Sequence, residues 1–396
     1  MIRNSKEYAR LLNNYLIIVI GGDHHNTLSV MRCLGMNRIR FCLIVHGDEP
    51  TKKRLNLSYS KYCKNIIAIN ENERTLVDVL KSLTKERKGI VIPCSDYSAY
   101  IIDRNYQILR KTLFMPGFKN KPGMVADLMD KFNQAEFASR NGILVAKSWS
   151  IKGIESLPQD IRYPCILKPE VSAVGHKTDI RICSNYSELR NYLSEMMNKG
   201  YTDILLQEYL TKRYEAVALG CICNSLNYNC ETIIKKIREY GGGSTSFGIV
   251  DTNREVYKTH HKLMHLLWKN GYRGQYDIEY FVCDNGVYLN EINFRHSGCG
   301  SILIYNNVPA PIISALTLID TELSCISYER KLPVNTPYMC DIQDVRFLKS
   351  KKIGLAEFFK EFTTTKARAY FNIYDLMGTW GFYKDVFRDV IGIRRS

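Results

Sequence analysis

The feature that most constrains this chain is a predicted β-hairpin around residue 285. Tyr276–Cys283 and Val287–Asn293 are rich in aromatic and β-branched residues, which is typical of strands. The residues between them, Asp284-Asn285-Gly286, are among the strongest turn signals for a short hairpin. The sequence therefore predicts two antiparallel strands whose paired positions follow by counting back from the turn.

Two carboxylates and an amide are predicted to gather on one face of this hairpin. Side chains alternate between the faces of a strand, so Glu291 and Asn293 point the same way. Counting across the turn places Glu279 beside Glu291, and Arg295 follows directly. Converging carboxylates repel unless a cation lies between them, and oxygen ligands near an Arg suit Mg2+ that carries phosphates. The alternative is a half-solvated hairpin with ordinary surface charges.

The composition is that of a folded protein in a reducing compartment. With 396 residues, the chain is long enough for two or three domains. No stretch approaches the ~20 apolar residues of a membrane span, and the apolar run Tyr15–Ile20 is too short for a signal-peptide core. The 13 cysteines are scattered through apolar runs, which favours reduced core thiols and a cytoplasmic location over disulfides or zinc.

The formal net charge of +15 is compatible with a nucleic acid, an anionic membrane surface or an anionic small substrate. We expect no nucleic-acid partner, because no run of basic residues is interleaved with aromatic residues in an RNA-binding pattern. Residues 331–396 form a basic and aromatic C-terminal extension with two candidate amphipathic helices, Gly354–Phe362 and Trp380–Ile391. This extension is predicted to cap the core, and peripheral contact with a membrane surface or a partner is the alternative.

Residues 1–115 alternate between apolar strand patterns and helical patterns. This rhythm predicts an α/β domain with a doubly wound parallel sheet. Ligands of such sheets bind beyond the carboxyl ends of the strands, where Gly21-Gly22-Asp23 and Ser95-Asp96 are expected. Asp23 and Asp96 are candidates for ligand contact, and helix capping explains them equally well.

Several later residues are suited to holding phosphates. Lys168 ends a predicted strand, since Pro169 forces an extended exit, and Lys131 lies within the predicted helix Met124–Asn141. The glycine-rich run Gly241–Gly248 is predicted to be a loop whose backbone N–H groups, at Gly242, Gly243 and Ser244 in particular, cradle a phosphate. A disordered surface loop is the alternative for this run. The order of residues is not that of a P-loop.

The order of these motifs resembles that of the ATP-grasp superfamily. The resemblance rests on Asp130-Lys131, on YPCILKP, on LLQEYL followed by Glu215, on Asp277-Ile278-Glu279 and on NEINFR, and it covers roughly residues 116–305. The phrases REYGGGSTSFG and NEINFRHSG look most similar to carbamoyl-phosphate-synthase-like and D-aspartate ligase-like members. The resemblance implies a Rossmann-like pre-ATP-grasp domain over 1–115, a first lobe over 116–210 and a second lobe with the metal site over 211–330.

The resemblance also implies roles for matching residues. The implied ATP contacts are Lys131 and Lys168 at the phosphates, Gln207, Glu208, Tyr209 and Leu210 at adenine, and Glu215 at the ribose. Glu279, Glu291 and Asn293 are implied to hold one or two Mg2+ ions, with Mn2+ as the alternative ion. Arg295, Lys168 and Arg238 are the candidate catalytic residues, and Arg238, Arg295 and His296 are candidates for holding an acidic or amino-acid substrate.

The implied reaction is an ATP-dependent ligation of a small carboxylate to a small amine. The carboxylate attacks the γ-phosphate, and the amine then displaces phosphate from the acyl phosphate. The expected substrate is an amino acid or a precursor of a cell-wall or surface polymer, and a homodimer is the default assembly. The alternatives are another ATP-grasp phosphoryl transfer, such as a kinase or a carboxyphosphate-using enzyme, and a protein that binds ATP without catalysis.

Overall fold

A computed structural model describes most of the chain, and the gaps are short. The described residues are 5–48, 54–169, 179–225, 230–241, 243–305, 308–319, 333 and 335–391. Gly242, one of the predicted phosphate-binding residues, lies outside them.

The first unit is a five-stranded parallel sheet flanked by helices. Its strands lie in the order β3-β2-β1-β4-β5. β2 and β3 are thus added on one side of β1, and β4 and β5 on its other side, as in doubly wound sheets. The predicted α/β class and parallel sheet are confirmed. A 3-10 helix, Asn56–Tyr59, precedes β3. The elements are α1 (Ser5–Leu12), β1 (Leu16–Gly21), α2 (His25–Met36), β2 (Phe41–Gly47), β3 (Ile66–Asn70), α3 (Glu73–Leu83), β4 (Gly89–Pro93), α4 (Asp96–Arg104), α5 (Tyr106–Leu109) and β5 (Leu113–Phe114).

The second group of elements forms a small antiparallel sheet of four strands, in the order β7-β10-β8-β9, which we term the small sheet. A second 3-10 helix, Ile154–Ser156, follows β7. The elements are β6 (Gly117–Phe118), α6 (Met124–Leu128), α7 (Lys131–Arg140), β7 (Ser148–Ile151), β8 (Cys165–Pro169), β9 (Arg181–Cys183), α8 (Tyr186–Asn198) and β10 (Ile204–Glu208). β6 pairs with a later strand and not with this sheet.

The expected single helix Met124–Asn141 is in fact two helices. The Asp130 side chain accepts a hydrogen bond from the backbone N–H of Asn133 and so begins a new helix, α7. Lys131 is therefore the first residue of α7 instead of lying in the middle of a longer helix. Gly142 follows α7 with φ +67°, a left-handed conformation that favours glycine after a helix.

The third group builds an eight-stranded sheet, termed the large sheet, in the order β15-β14-β11-β12-β13-β16-β17, with β6 attached to β14. All its pairs are antiparallel except β16 with β17. The elements are β11 (Lys212–Ile222), β12 (Cys230–Tyr240), β13 (Ser244–Val250), α9 (Arg254–Lys269), β14 (Tyr272–Cys283), β15 (Gly286–Asn293), α10 (Ser301–Tyr305), α11 (Ala310–Leu318), β16 (Pro337–Met339), α12 (Asp341–Lys349), α13 (Leu355–Thr364), β17 (Ala367–Arg368) and α14 (Leu376–Ile391).

The prediction of a loop over Gly241–Gly248 is wrong for its second half. Ser244–Val250 is strand β13, which pairs with β12 on one side and β16 on the other. Alternating side chains such as Thr245, Phe247 and Ile249 suit a pleated strand, and Gly241 and Gly243 before them are turn residues.

The C-terminal extension packs against the first unit. The Arg32 guanidinium of α2 is buried and donates to Asp375 Oδ2 at 3.0 Å and to the carbonyl of Tyr370 at 2.8 Å. One hydrophobic core runs from α2 and the parallel sheet through α11 to Tyr338, Phe382 and Val386. Residues after 331 thus contribute strands to the large sheet and helices to the core of the first unit. Among the described cysteines we find no disulfide.

Candidate active site

The hairpin of β14 and β15 pairs the two carboxylates that the sequence places together. Glu279 is the register partner of Glu291, and Asp277 is the partner of Asn293. Gly286 begins β15 with φ +152°, a conformation that few other residues adopt. The four polar side chains therefore form a short acidic row along one end of the large sheet. Asp277 was missed by the sequence analysis, although its position two residues before Glu279 puts it on the same face.

Lys168 faces this acidic row from the small sheet. Its side chain is buried and its Nζ donates to Gln207 Oε1 at 2.9 Å. Burial first, then Lys131, lowers the pKa of Lys168 to about 8 against the opposing effects of Glu291 and Glu279. The ammonium of Lys168 on β8 is therefore affected by the charges of Lys131 on α7, Glu279 on β14 and Glu291 on β15. The structure brings together the two predicted phosphate-binding lysines and the two predicted metal-binding carboxylates.

A second ammonium, that of Lys236 on β12, is buried in the same site. Its Nζ is 2.7 Å from Glu215 Oε2 and 3.4 Å from Glu279 Oε2, and it donates to the Gly243 carbonyl at 2.8 Å. Burial opposes the charge of Lys236, but Glu279 and Glu215 outweigh burial and raise its pKa. Lys212 also donates to Glu215. The sequence analysis did not select Lys236, although a lysine within an apolar strand was the available signal.

Arg295 joins the large sheet to the first unit. Its Nη1 is 3.1 Å from Asp277 Oδ2, and its Nε is 3.2 Å from Asp96 Oδ1 at the start of α4. Burial opposes the charge of Arg295, but Asp96, Asp277 and Glu291 raise its pKa. The next residue, His296, is buried and bonded to Ser29 and Gln275. Arg295 therefore lies between the acidic row and the carboxyl end of β4.

The donor set suits a cation that brings further ligands of its own. Within the residues that the structure describes, no group of three or more His, Cys, Asp or Glu is placed to hold a metal ion. Burial first, then Glu291 and Asp277, raise the pKa of Glu279 against the opposing effect of Lys236. Mg2+ typically binds one or two carboxylates and completes its shell with phosphates and water. Glu279, Glu291 and Asn293 fit that pattern, because they are oxygen donors and their mutual repulsion would be relieved by a cation.

The segment predicted to contact adenine connects the two sheets. Gln207 and Glu208 end β10, and Tyr209 and Leu210 lead into β11. Gln207 Nε2 donates to Ser148 Oγ at 2.9 Å, so this amide is fixed on both sides by Ser148 and Lys168. Tyr209 is exposed. The segment therefore contacts Lys168, as a nucleotide site would require.

Arg238 is not part of this arrangement. Its guanidinium donates to Asp344 Oδ2 at 2.8 Å and to Glu361 Oε2 at 2.5 Å, which belong to α12 and α13. Burial opposes the charge, and the two carboxylates raise the pKa of Arg238. β-Bulges on both sides of Arg238 break the regular alternation of β12. Ser244 is the first residue of β13 and pairs with Tyr240, the last residue of β12.

No protein-family model matches the chain. In sequence, it is 22% identical over 233 residues to the formate-dependent phosphoribosylglycinamide formyltransferase of Sulfurovum sp. (strain NBC37-1). The match covers 57% of this chain and 58% of that protein, so the chain spans less than two thirds of the length of this relative.

Solved structures with the same fold cover most of the chain. N5-carboxyaminoimidazole synthetase from Staphylococcus aureus gives a TM-score of 0.64 at 15% identity, over 85% of both chains. L-amino acid ligase from Bacillus licheniformis gives a TM-score of 0.59 at 12% identity, over 77% of this chain and 74% of that one. These proteins and the sequence relative are ATP-grasp enzymes. The chain therefore has the ATP-grasp fold.

Proposed function

We propose that this protein is an ATP-dependent carboxylate–amine ligase that works through an acyl phosphate. One observation carries the proposal: the buried ammonium of Lys168 on the small sheet is close enough to Lys131 of α7 and to Glu279 and Glu291 of the large sheet for all three charges to act on it. Two cations opposite two carboxylates provide both halves of a metal–nucleotide site. ATP with Mg2+ is the cofactor pair of ATP-grasp ligases.

In this proposal the two lysines bind the phosphates, and the connection from Gln207 to Leu210 binds adenine. Glu215 accepts from the ribose hydroxyls, and the backbone N–H groups of Gly242, Gly243 and Ser244 contact the phosphates. Glu279, Glu291 and Asn293 hold Mg2+, which when bound neutralises phosphate charge. Lys236 opposes protonation of Glu215 and Glu279 and holds both carboxylates in place, since its ammonium is buried between them.

Arg295 is the group that we assign to the substrate carboxylate and to the transferred phosphoryl group. It lies beside Glu291 and at the carboxyl end of β4, where doubly wound sheets bind ligands. A guanidinium held on two sides by Asp96 and Asp277 is pre-organised, so little entropy is lost when it binds an anion.

The acceptor is a small amine, and amino acids are the substrates that we favour. The similarity in fold to an L-amino acid ligase supports this choice, as does the acid- and amide-rich environment of Arg295. Phosphoryl transfer to an alcohol requires a base near Arg295. His296, the nearest histidine in the sequence, is bonded at both ring nitrogens, and burial lowers its pKa to about 3. We therefore do not favour a kinase.

The test is ADP release with Mg2+ and pooled small carboxylates, with and without pooled amines. The proposal predicts sustained ADP release only when both pools are present, and its loss in Glu291→Gln. Sustained ADP release that needs no amine would favour a kinase. An active Glu291→Gln variant would overturn the assignment of the metal ligands.

A further inference from the structure

Helix α14 presents an apolar face to solvent. Leu376, Met377, Trp380 and Phe387 are 60%, 57%, 49% and 49% exposed. Leu376, Trp380 and Phe387 follow at spacings of four and seven residues, which places them within about 40° around the helix axis. Ile373 and Tyr374 extend the same run before the helix, at 62% and 66% exposure. Contiguous exposure of large apolar side chains is unusual on a protein surface and marks an interaction site.

The opposite face of α14 fixes the helix in place. Phe382 and Val386 are buried in the core shared with the first unit. Gly381 packs so closely on the 3-10 helix Asn56–Tyr59 that an added Cβ would lie 2.5 Å from the Asn56 carbonyl oxygen. Asp375, just before the helix, pairs with the buried Arg32. The apolar face is therefore held outward by a rigid attachment on its other side.

Basic side chains border this apolar face. Lys384 and Arg388 lie on the same helix, and Arg388 is largely exposed. Lys384 Nζ lies 3.8 Å from the centre of the Tyr59 ring, and Arg54 Cζ lies 4.1 Å from it, so Arg54 joins the same group. Asp385 is turned towards the 3-10 helix, where it accepts from Asn56 at 3.1 Å. After Ile391 the sequence adds Arg394 and Arg395.

We propose that the face formed by Leu376, Met377, Trp380 and Phe387 docks on an anionic lipid surface. Its tryptophan, phenylalanine and leucine bordered by lysine and arginine are the composition of helices that lie in a membrane interface. A second copy of this chain fits less well, because a two-fold contact would bring the cations of one copy towards those of the other. The structure describes no helix with the length and hydropathy that a bilayer span requires. The contact is therefore peripheral, and it is independent of the ligase activity.

The test is flotation of the full chain with phosphatidylcholine vesicles, with and without phosphatidylglycerol. We expect flotation only with the anionic vesicles and less of it as salt is raised. Trp380→Ser with Phe387→Ser should weaken the partition about tenfold or more, since both side chains are half-exposed and anchor the face. Lys384→Gln and Arg388→Gln should weaken it about fivefold each.

The matched controls are exposed residues elsewhere on the chain. Tyr186→Ser, on α8, removes an aromatic side chain that is 52% exposed, and Lys111→Gln removes a cation from the first unit. Neither should change flotation, and circular dichroism should show every variant folded. Flotation that is absent, or unchanged in the Trp380 and Phe387 double variant, would overturn the proposal. A concentration-dependent dimer in sedimentation that the same variant abolishes would assign the face to a second copy instead.

Discussion

The guanidinium of Arg295 is paired with Asp96, a residue 199 positions earlier in the chain, with Nε 3.2 Å from Oδ1. Asp277 holds the other side of the same guanidinium. The parallel sheet of the first unit therefore takes part in positioning a side chain of the large sheet. In the proposed function, this pairing sets the position of the guanidinium that binds the substrate carboxylate.

Asp96→Asn should impair the use of the carboxylate substrate without affecting ATP. The neutral amide holds Arg295 less firmly, so we expect kcat/KM for the carboxylate to fall about tenfold to a hundredfold. Calorimetry should show an unchanged ATP dissociation constant. The control is Glu73→Gln at the start of α3, whose carboxylate accepts from Asn105 instead. Equal effects of the two substitutions would contradict a positioning role for Asp96.

ATP affinity should depend on pH through Lys168. Burial lowers the pKa of this ammonium to about 8, so the free protein loses the proton as the pH rises above that value. Phosphates favour the protonated form, so the ATP dissociation constant should rise above pH 8, by at most about tenfold per pH unit. In Lys168→Arg the guanidinium stays charged and the rise should disappear. An identical pH profile in that variant would assign the titration to another group.

Arg238 should matter for stability and not for ATP binding. Its removal leaves Asp344, which is fully buried, without its main cation, and breaking a buried pair costs about 3–5 kcal/mol. Arg238→Ala should therefore lower the free energy of unfolding in urea, and the double variant with Asp344→Asn should recover part of the loss. The ATP dissociation constant should not change. Loss of ligase activity in a stably folded Arg238→Ala protein would restore the catalytic and substrate-binding role predicted from the sequence.

Stability should fall in mild acid because of His296. Burial lowers its pKa to about 3, whereas an unfolded histidine titrates near 6.5, so the unfolded state binds more protons between these values. The free energy of unfolding should therefore fall as the pH drops below 6.5, by about 1.2 kcal/mol between pH 7 and 5.5 from this residue. His296→Gln should show a shallower dependence in urea titrations. A dependence as steep as that of the unaltered chain would exclude His296 as the cause.

Local patterns predicted the parts of the site that lie on one element or one turn. The alternation of side chains between the two faces of a strand and the Asp-Asn-Gly turn were sufficient to pair Glu279 with Glu291. Both signals act over only a few residues. The parallel sheet also followed from the strand and helix rhythm. The domain boundaries stay predictions.

Features set by distant residues were missed or misassigned. Arg238 appeared to be a free substrate-binding cation, because nothing near it in sequence indicates the pairing with Asp344 and Glu361. Strands β16 and β17 were missed because each is very short and depends on its neighbours in the large sheet. The glycines at 241–243 suggested a long loop. Strand β13, which pairs with β12 and β16, begins at Ser244, directly after them.

The acyl phosphate is the central claim, and isotope transfer tests it most directly. The carboxylate that supports ADP release is labelled with 18O in both oxygens, and the inorganic phosphate formed with the amine is analysed by mass spectrometry. Attack of the carboxylate on the γ-phosphate predicts one 18O atom transferred to each phosphate released. Phosphate without label, while amide forms and ADP is released, would contradict the account.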